Sequence, residues 1–299
     1  MPEIRFVALT YNQPSMLQIL YDSVRETYGP IDEDSFFIVN NHSNFISPGP
    51  STVLHDTIRP DYSLGYQSRS WNYGLLHGFY NTEKPACTWV CLVQSDVWFR
   101  SGWLESFRSM TADGTTKLVA CGPGDQAVFI HIDAFREVGW FDERLCGNGY
   151  QEFDYFFRCY LRLGRRSKLQ GHGRQLVWNW PESVDLIGRV NVGEEKRVSE
   201  ERPSVTQRVN PMLFNHLERK WGRDLVSHAC SDPATWERWT EYLDEVFGNP
   251  EGGRTSTQEA LIPKEYNWWT CMYIDDSRDY AHLYYSYVPL KSETLFKRG

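Results

Sequence analysis

The chain has 299 residues, 41% of them apolar, enough for one large α/β domain with a filled core. A net charge of −8 argues against a surface that binds polyanions as a whole, and no run reaches the roughly 18 apolar residues that a membrane span needs. Seven cysteines (Cys87, Cys91, Cys121, Cys146, Cys159, Cys230 and Cys271) form no Cys-x-x-Cys pair, which fits reduced thiols rather than a disulfide framework or a zinc site.

Arg5 to Leu9 reads as a short buried strand, and Thr10-Tyr-Asn-Gln-Pro14 is its turn. Ser15 to Arg25 reads as an amphipathic helix with Leu17, Ile19, Leu20 and Val24 inward. Ser35 to Val39 is a second strand, closed by the polar cluster Asn40-Asn-His-Ser-Asn44. Tyr66 to Phe79 reads as a helix and Thr88 to Val93 as the next buried strand. There the apolar run stops at one acid, Asp96, and resumes as Val97-Trp-Phe99. Gly102 to Met110 and Ile132 to Val138 read as helices, with strands at Leu118 to Ala120 and Gln126 to His131 between them. Gly147 to Tyr150 is a turn, and Gln151 to Leu163 is a longer helix.

Strands that alternate with helices predict a mostly parallel sheet covered on both faces. Beyond about Pro181 the pattern weakens. Gly193 to Pro203 reads as charged loop, Pro211 to Trp221 and Ala234 to Phe247 as helices, and the aromatic segment Tyr266 to Leu290 as strands lying back on the domain. The expected division is a domain over 1–222 and a helical, aromatic-rich extension over 223–299. The N-terminus carries no signal-peptide pattern, so the expected setting is the cytoplasm, that of a virus-infected host included.

Four polar sites follow strands or open helices: Thr10-Tyr11-Asn12, Asn40-Asn41, Ser95-Asp96, and the acids Glu152 and Asp154 after Gly147-Asn-Gly149. Loops that follow parallel strands converge on one sheet edge, where open α/β sheets bind ligands. An acid there is placed to hold a divalent cation against a diphosphate. Each site taken alone is more often turn chemistry, or first-turn acids that complement the helix dipole, than a ligand site. Between Tyr155 and Pro181 there is no acid, while Arg158, Arg162, Arg165, Arg166, Lys168 and Arg174 supply six cations. That stretch is either a solvated face or a patch for a phosphate-bearing ligand.

The order of these segments resembles glycosyltransferase family two. The likeness is carried by Thr10-Tyr-Asn12, then Val39-Asn-Asn-His-Ser43, Arg69-Ser-Trp-Asn72-Tyr-Gly74 and Ser95-Asp-Val-Trp-Phe99 with Gly102-Trp-Leu104. It continues through Ala127 to Glu143, Gly149-Tyr-Gln-Glu152-Phe-Asp154 with Arg158, and Arg219-Lys-Trp-Gly222, and so covers roughly residues 4 to 222. The resemblance implies the glycosyltransferase A fold, a single Rossmann-like nucleotide-sugar-binding domain. It implies transfer of a sugar from a nucleoside diphosphate sugar, UDP-linked, to an acceptor hydroxyl. By position Thr10, Tyr11, Asn12, Asn40 and Asn41 fall in the nucleoside site, with Asn72, Ser95 and Asp96 toward the rest of the donor. Asn40 stands where the family usually has an Asp. Asp96 matches the last acid of the family's metal-binding Asp-x-Asp, while Gln94 takes the first position. Mn2+ or Mg2+ is the implied ion, with Asp96 and His172 as its candidate ligands.

Glu152 falls at the family's catalytic base, usually an Asp, and Asp154 is the second acid and the alternative base. A carboxylate there can take the acceptor proton as the acceptor oxygen attacks the anomeric carbon. One displacement of that kind inverts the centre. Two other readings stand beside this one. The chain is either a glycosyltransferase acting on a hydroxymethylated DNA base flipped from the duplex, or a sugar- or nucleotide-binding module that has lost the chemistry. A nucleotidyltransferase is disfavoured, because no Gly-rich phosphate loop follows the first strand. Acceptors thus span glycans, small molecules and a modified base.

Overall fold

The computed structural model describes residues 2–11, 13–41, 46–55, 67–121, 126–141, 150–159, 176–177 and 186–189. In chain order the elements are β1 (Ile4–Thr10), α1 (Pro14–Tyr28), β2 (Phe36–Asn40), β3 (Thr52–His55), α2 (Gln67–Phe79), β4 (Trp89–Gln94) and β5 (Val97–Phe99). There follow α3 (Trp103–Thr111), β6 (Leu118–Cys121), β7 (Ala127–His131), α4 (Ile132–Val138), α5 (Tyr150–Cys159), β8 (Leu176–Val177) and β9 (Ile187–Arg189). Seven strands form one sheet in the order β3-β2-β1-β4-β7-β6-β8, and β5 and β9 make a two-stranded ribbon. Within the sheet only β7 runs against the others.

The central strands are near-continuous apolar runs, as strands covered on both faces must be. All five residues of β2 are buried, and six of the seven in β1. Their side chains divide by the two-residue period of a strand. Val7, Phe37, Val39, Val90 and Leu92 join α2, α4 and α5 in one core. Ile4, Phe6, Ala8, Phe36, Ile38, Cys91 and Val93 join α1, α3 and the ribbon in the other. Trp103, fully buried in this second layer, stacks on Phe129 at 5.7 Å and donates its indole N–H to Thr27 Oγ1 at 2.7 Å. That bond removes the cost of burying the indole donor.

The helices α1 to α4 lie where hydrophobic spacing predicts them, and α5 does so over its described part; in α1, however, Ile19 faces solvent rather than inward, and Met16 and Tyr21 join Leu17, Leu20 and Val24 on the buried face. Local devices mark several of their ends. Pro14 opens α1, where a missing N–H costs nothing. His131 caps α4 by accepting the Asp133 N–H at 3.0 Å. At the end of α2 the guanidinium of Arg5 donates to the Gly78 carbonyl at 3.0 Å, and it lies over the Phe37 ring. A cation at a helix C-terminus meets the negative end of the dipole.

The strands β3, β5, β8 and β9 were not expected from sequence. The remainder of the expected Gln151–Leu163 helix falls outside the described residues. So do the Gly147–Tyr150 turn up to Gly149, the segments expected at 193–203, 211–221, 234–247 and 266–290, and the division at 222/223. No helix of the described residues is long and apolar enough to cross a membrane.

Candidate active site

The strands β1, β2 and β4 end together at one edge of the sheet. Thr10 pairs with Asn40, Leu9 with Gln94, and Asn40 with His55 of β3. Thr10, Asn40, Gln94 and the residues just after them are therefore neighbours by register.

Backbone bonds fasten the loops across that edge. The Asn41 N–H donates to the Thr10 carbonyl at 3.0 Å, and the Ser95 N–H donates to the Leu9 carbonyl at 3.1 Å. Side chains add two more ties. The Ser95 hydroxyl donates to Gln13 Oε1 at 2.5 Å, and the Ser70 hydroxyl, from the first turn of α2, donates to Asn41 Oδ1 at 3.1 Å. Thr10 and Asn40 are buried, and among the described residues the Thr10 hydroxyl has no hydrogen-bond partner. A buried hydroxyl without a partner is costly in a finished core.

Asp96 lies in the turn between β4 and β5, about one quarter exposed. Facing it is Arg189, the last residue of β9, which stands opposite Val97 in the ribbon. Arg189 Nη1 lies 3.8 Å from Asp96 Oδ2, while Nη2 donates to Gln94 Oε1 at 3.1 Å. One guanidinium thus spans the two positions that would hold the first and last acids of an Asp-x-Asp. Gln94 and Asp96 were read from sequence. Arg189 and Gln13 were not, because neither carries a local signal.

The described residues at this edge do not make up a ligand set for a resident Mn2+ or Mg2+ ion. Such ions take several hard oxygen ligands. Among the described residues no three His, Cys, Asp or Glu side chains come together. At this edge Asp96 is the one carboxylate of the expected pair, and a fixed cation already faces it. The second candidate ligand, His172, lies outside the described residues, as does Asn12.

Asn72 departs from its expected place beside the donor. It is fully buried in α2, and its side-chain amide bonds both polar groups of one backbone residue. Its Nδ2 donates to the Phe141 carbonyl at 3.0 Å, and its Oδ1 accepts the Phe141 N–H at 2.8 Å. Phe141 in turn stacks on Tyr155 of α5, centroids 4.0 Å apart. Asn72 is therefore the clamp that docks α5 on the layer below.

The two acids of α5 lie two residues apart. Asp154 is fully buried and accepts from Arg158 Nε at 3.0 Å; Arg158 also donates to the Val138 carbonyl at 2.9 Å. Arg158 thus belongs to the core, not to the basic patch expected from Tyr155 to Pro181. The rest of that patch lies outside the described residues. Glu152 lies in the first turn of α5, one turn ahead of Tyr155.

The buried cysteines are chemically quiet. Burial pushes the Cys87 thiol up to about 12, and it pushes Cys159 higher still. Neither is a nucleophile at neutral pH.

No protein-family model matches the chain, and comparison with curated proteins finds no match. Solved structures to which it is similar include S. aureus TarS, at 12% identity over 96% of this chain, with a TM-score of 0.44. This chain spans 55% of that protein's length. The mannosyltransferase PcManGT from Pyrobaculum calidifontis, in complex with GDP-Man and Mn2+, is 13% identical over 95% of this chain and 86% of its own, with a TM-score of 0.44. S. aureus TarS 1–349 is 10% identical over 96% and 91%, with a TM-score of 0.45.

Proposed function

We propose that the chain is a glycosyltransferase that moves a sugar from a nucleoside diphosphate sugar to an acceptor hydroxyl. The observation that carries this reading is the sheet edge, where Thr10, Asn40, Asn41, Ser95 and Asp96 are fastened together at the ends of β1, β2 and β4. These are the positions that the resemblance to family two gives to the donor. The buried Thr10 hydroxyl and the amide of Asn40 suit the polar edge of a nucleoside, with Tyr11 beside them.

Glu152 is the base of this reading. It takes the acceptor proton as the acceptor oxygen attacks the anomeric carbon, and the donor's glycosidic electron pair leaves with the diphosphate. One such displacement inverts the centre. A first-turn position favours the ionised carboxylate that a base needs. Asp154, buried on Arg158, is a positioning residue that fixes the helix carrying Glu152.

The test is a thermal-shift panel of nucleotide sugars on the full chain, followed by product analysis with the donor that stabilises it, because a true donor binds the native state and raises its melting temperature. One donor class stabilises the protein and is turned over with inversion. Stabilisation without turnover toward sugar, glycan or hydroxymethylated-DNA acceptors marks a binding module. A retained anomeric centre removes the base role from Glu152.

A further inference from the structure

We propose that the Arg189 guanidinium is the cation that binds the donor's diphosphate, in the place where an Asp-x-Asp would hold a metal ion. The inference rests on the donor-binding reading above.

The argument begins with the fixing of Arg189. β9 is paired to β5 through three residue pairs, Val97 with Arg189, Trp98 with Gly188 and Phe99 with Ile187. The Arg100 N–H donates to the Leu186 carbonyl at 2.8 Å and extends the ribbon by one bond. Gly188 is required at the centre. A Cβ there would stand 2.5 Å from the Trp98 indole, so only glycine lets the ring lie across β9. Arg100 covers the same indole, 4.3 Å from its centroid. The strand that ends in Arg189 therefore has one register and little freedom.

The head of Arg189 is then held between Gln94 and Asp96. Gln94 is neutral, so the guanidinium is oriented there without being neutralised by it. The Asp96 contact, at 3.8 Å, is longer than a good charge-assisted hydrogen bond. With about half of its side chain exposed, Arg189 keeps donors for an incoming anion. A guanidinium has five N–H donors in a planar fork that matches phosphate oxygens. In the transfer step the bond from the anomeric carbon to the phosphate oxygen breaks, and its electron pair leaves as charge on the diphosphate. A cation fixed there stabilises that charge without having to reorganise.

The test measures binding of UDP, GDP, ADP, CDP and dTDP, and of the matching nucleosides, to the full chain by calorimetry, in EDTA and in Mn2+. The wild type binds one of these diphosphates in EDTA within about threefold of its affinity in Mn2+. Arg189→Ala, in EDTA, loses about tenfold or more toward that diphosphate and nothing toward its nucleoside. Arg189→Lys keeps the charge without the fork and falls between them; it serves alone if the alanine variant does not keep the wild-type melting temperature. Three results count against the role of Arg189. Diphosphate binding that needs Mn2+ overturns it and leaves the glycosyltransferase reading intact. So does metal-independent binding that neither variant weakens, and so does an equal loss toward diphosphate and nucleoside. Failure of the wild type to bind any of the diphosphates in either medium overturns both readings together.

Discussion

Two acids two residues apart on α5 have opposite expected responses to substitution. Asp154→Asn leaves Arg158 buried without its counter-charge, and removing one member of a buried pair costs about 3–5 kcal/mol. The melting temperature falls, and activity falls only as far as the folded fraction does. Glu152→Gln leaves the melting temperature in place and lowers kcat by about two to four orders of magnitude. A Glu152→Gln enzyme with wild-type kcat removes the base assignment. His131 gives a prediction in pH. Burial, aided by the Lys117 ammonium, lowers its pKa from 6.5 to about 4, and the neutral Nδ1 is what accepts the Asp133 N–H. Between those values the unfolded chain binds the proton and the folded chain does not, so stability rises with pH across that window and is lost as pH falls from 6.5 to 4. Asn at 131 can accept the same N–H without titrating. Melting curves from pH 7 to 4 should therefore drop less steeply for His131→Asn than for the wild type. Equal slopes would show that carboxylates alone set the acid limit.

The elements differ in how much of their placement is written in adjacent residues. Gly78 shows what local reading misses. In sequence it is a glycine inside a helix, which costs helix stability. In the fold α2 lies so close to the sheet that a Cβ at 78 would stand 2.7 Å from Val90 Cγ2. The helix gives up some intrinsic stability for close packing. Gly78→Ala, which raises helix propensity, should therefore lower stability by about 1–3 kcal/mol through overpacking. Chemical denaturation measures it, and a stabilised variant would mean that α2 can lift from the sheet at no cost. The helices and long strands were legible because each repeats its period several times: β1, β2, β4 and β7 are apolar runs bounded by turns, and α1 repeats its spacing over 15 residues. The strands β5, β8 and β9 have two or three residues each, too few to show a period. They are strands because of what they meet. The same holds for Asn72, which the resemblance to family two puts toward the donor. Its side chain bonds a peptide group 69 residues away, which no local pattern announces.

At the scale of the whole molecule, the site joins parts of the chain with different legibility. The ends of β1, β2 and β4 could be read because strand order and turn chemistry place their loops on one edge. The ribbon could not, since it brings Arg189 to Gln94 across 95 residues. The consequence is chemical. With Asp at 94 and no cation at 189, this edge would present two carboxylates, the hard oxygen donors that a divalent ion prefers. Gln94→Asp combined with Arg189→Ala should therefore exchange one way of neutralising a diphosphate for another. Neither single change should do so: Gln94→Asp alone gives Arg189 a second acid to neutralise it, and Arg189→Ala alone leaves one carboxylate. The double variant should bind nucleoside diphosphate weakly in EDTA and recover about tenfold or more in Mn2+, with a melting temperature that rises only when both are present. Each single variant should gain less from Mn2+ than the pair does. The excess measures the coupling between residues that sequence separates and the ribbon brings together. If the double variant gains no more than the sum of the singles, positions 94 and 189 do not act on one anion.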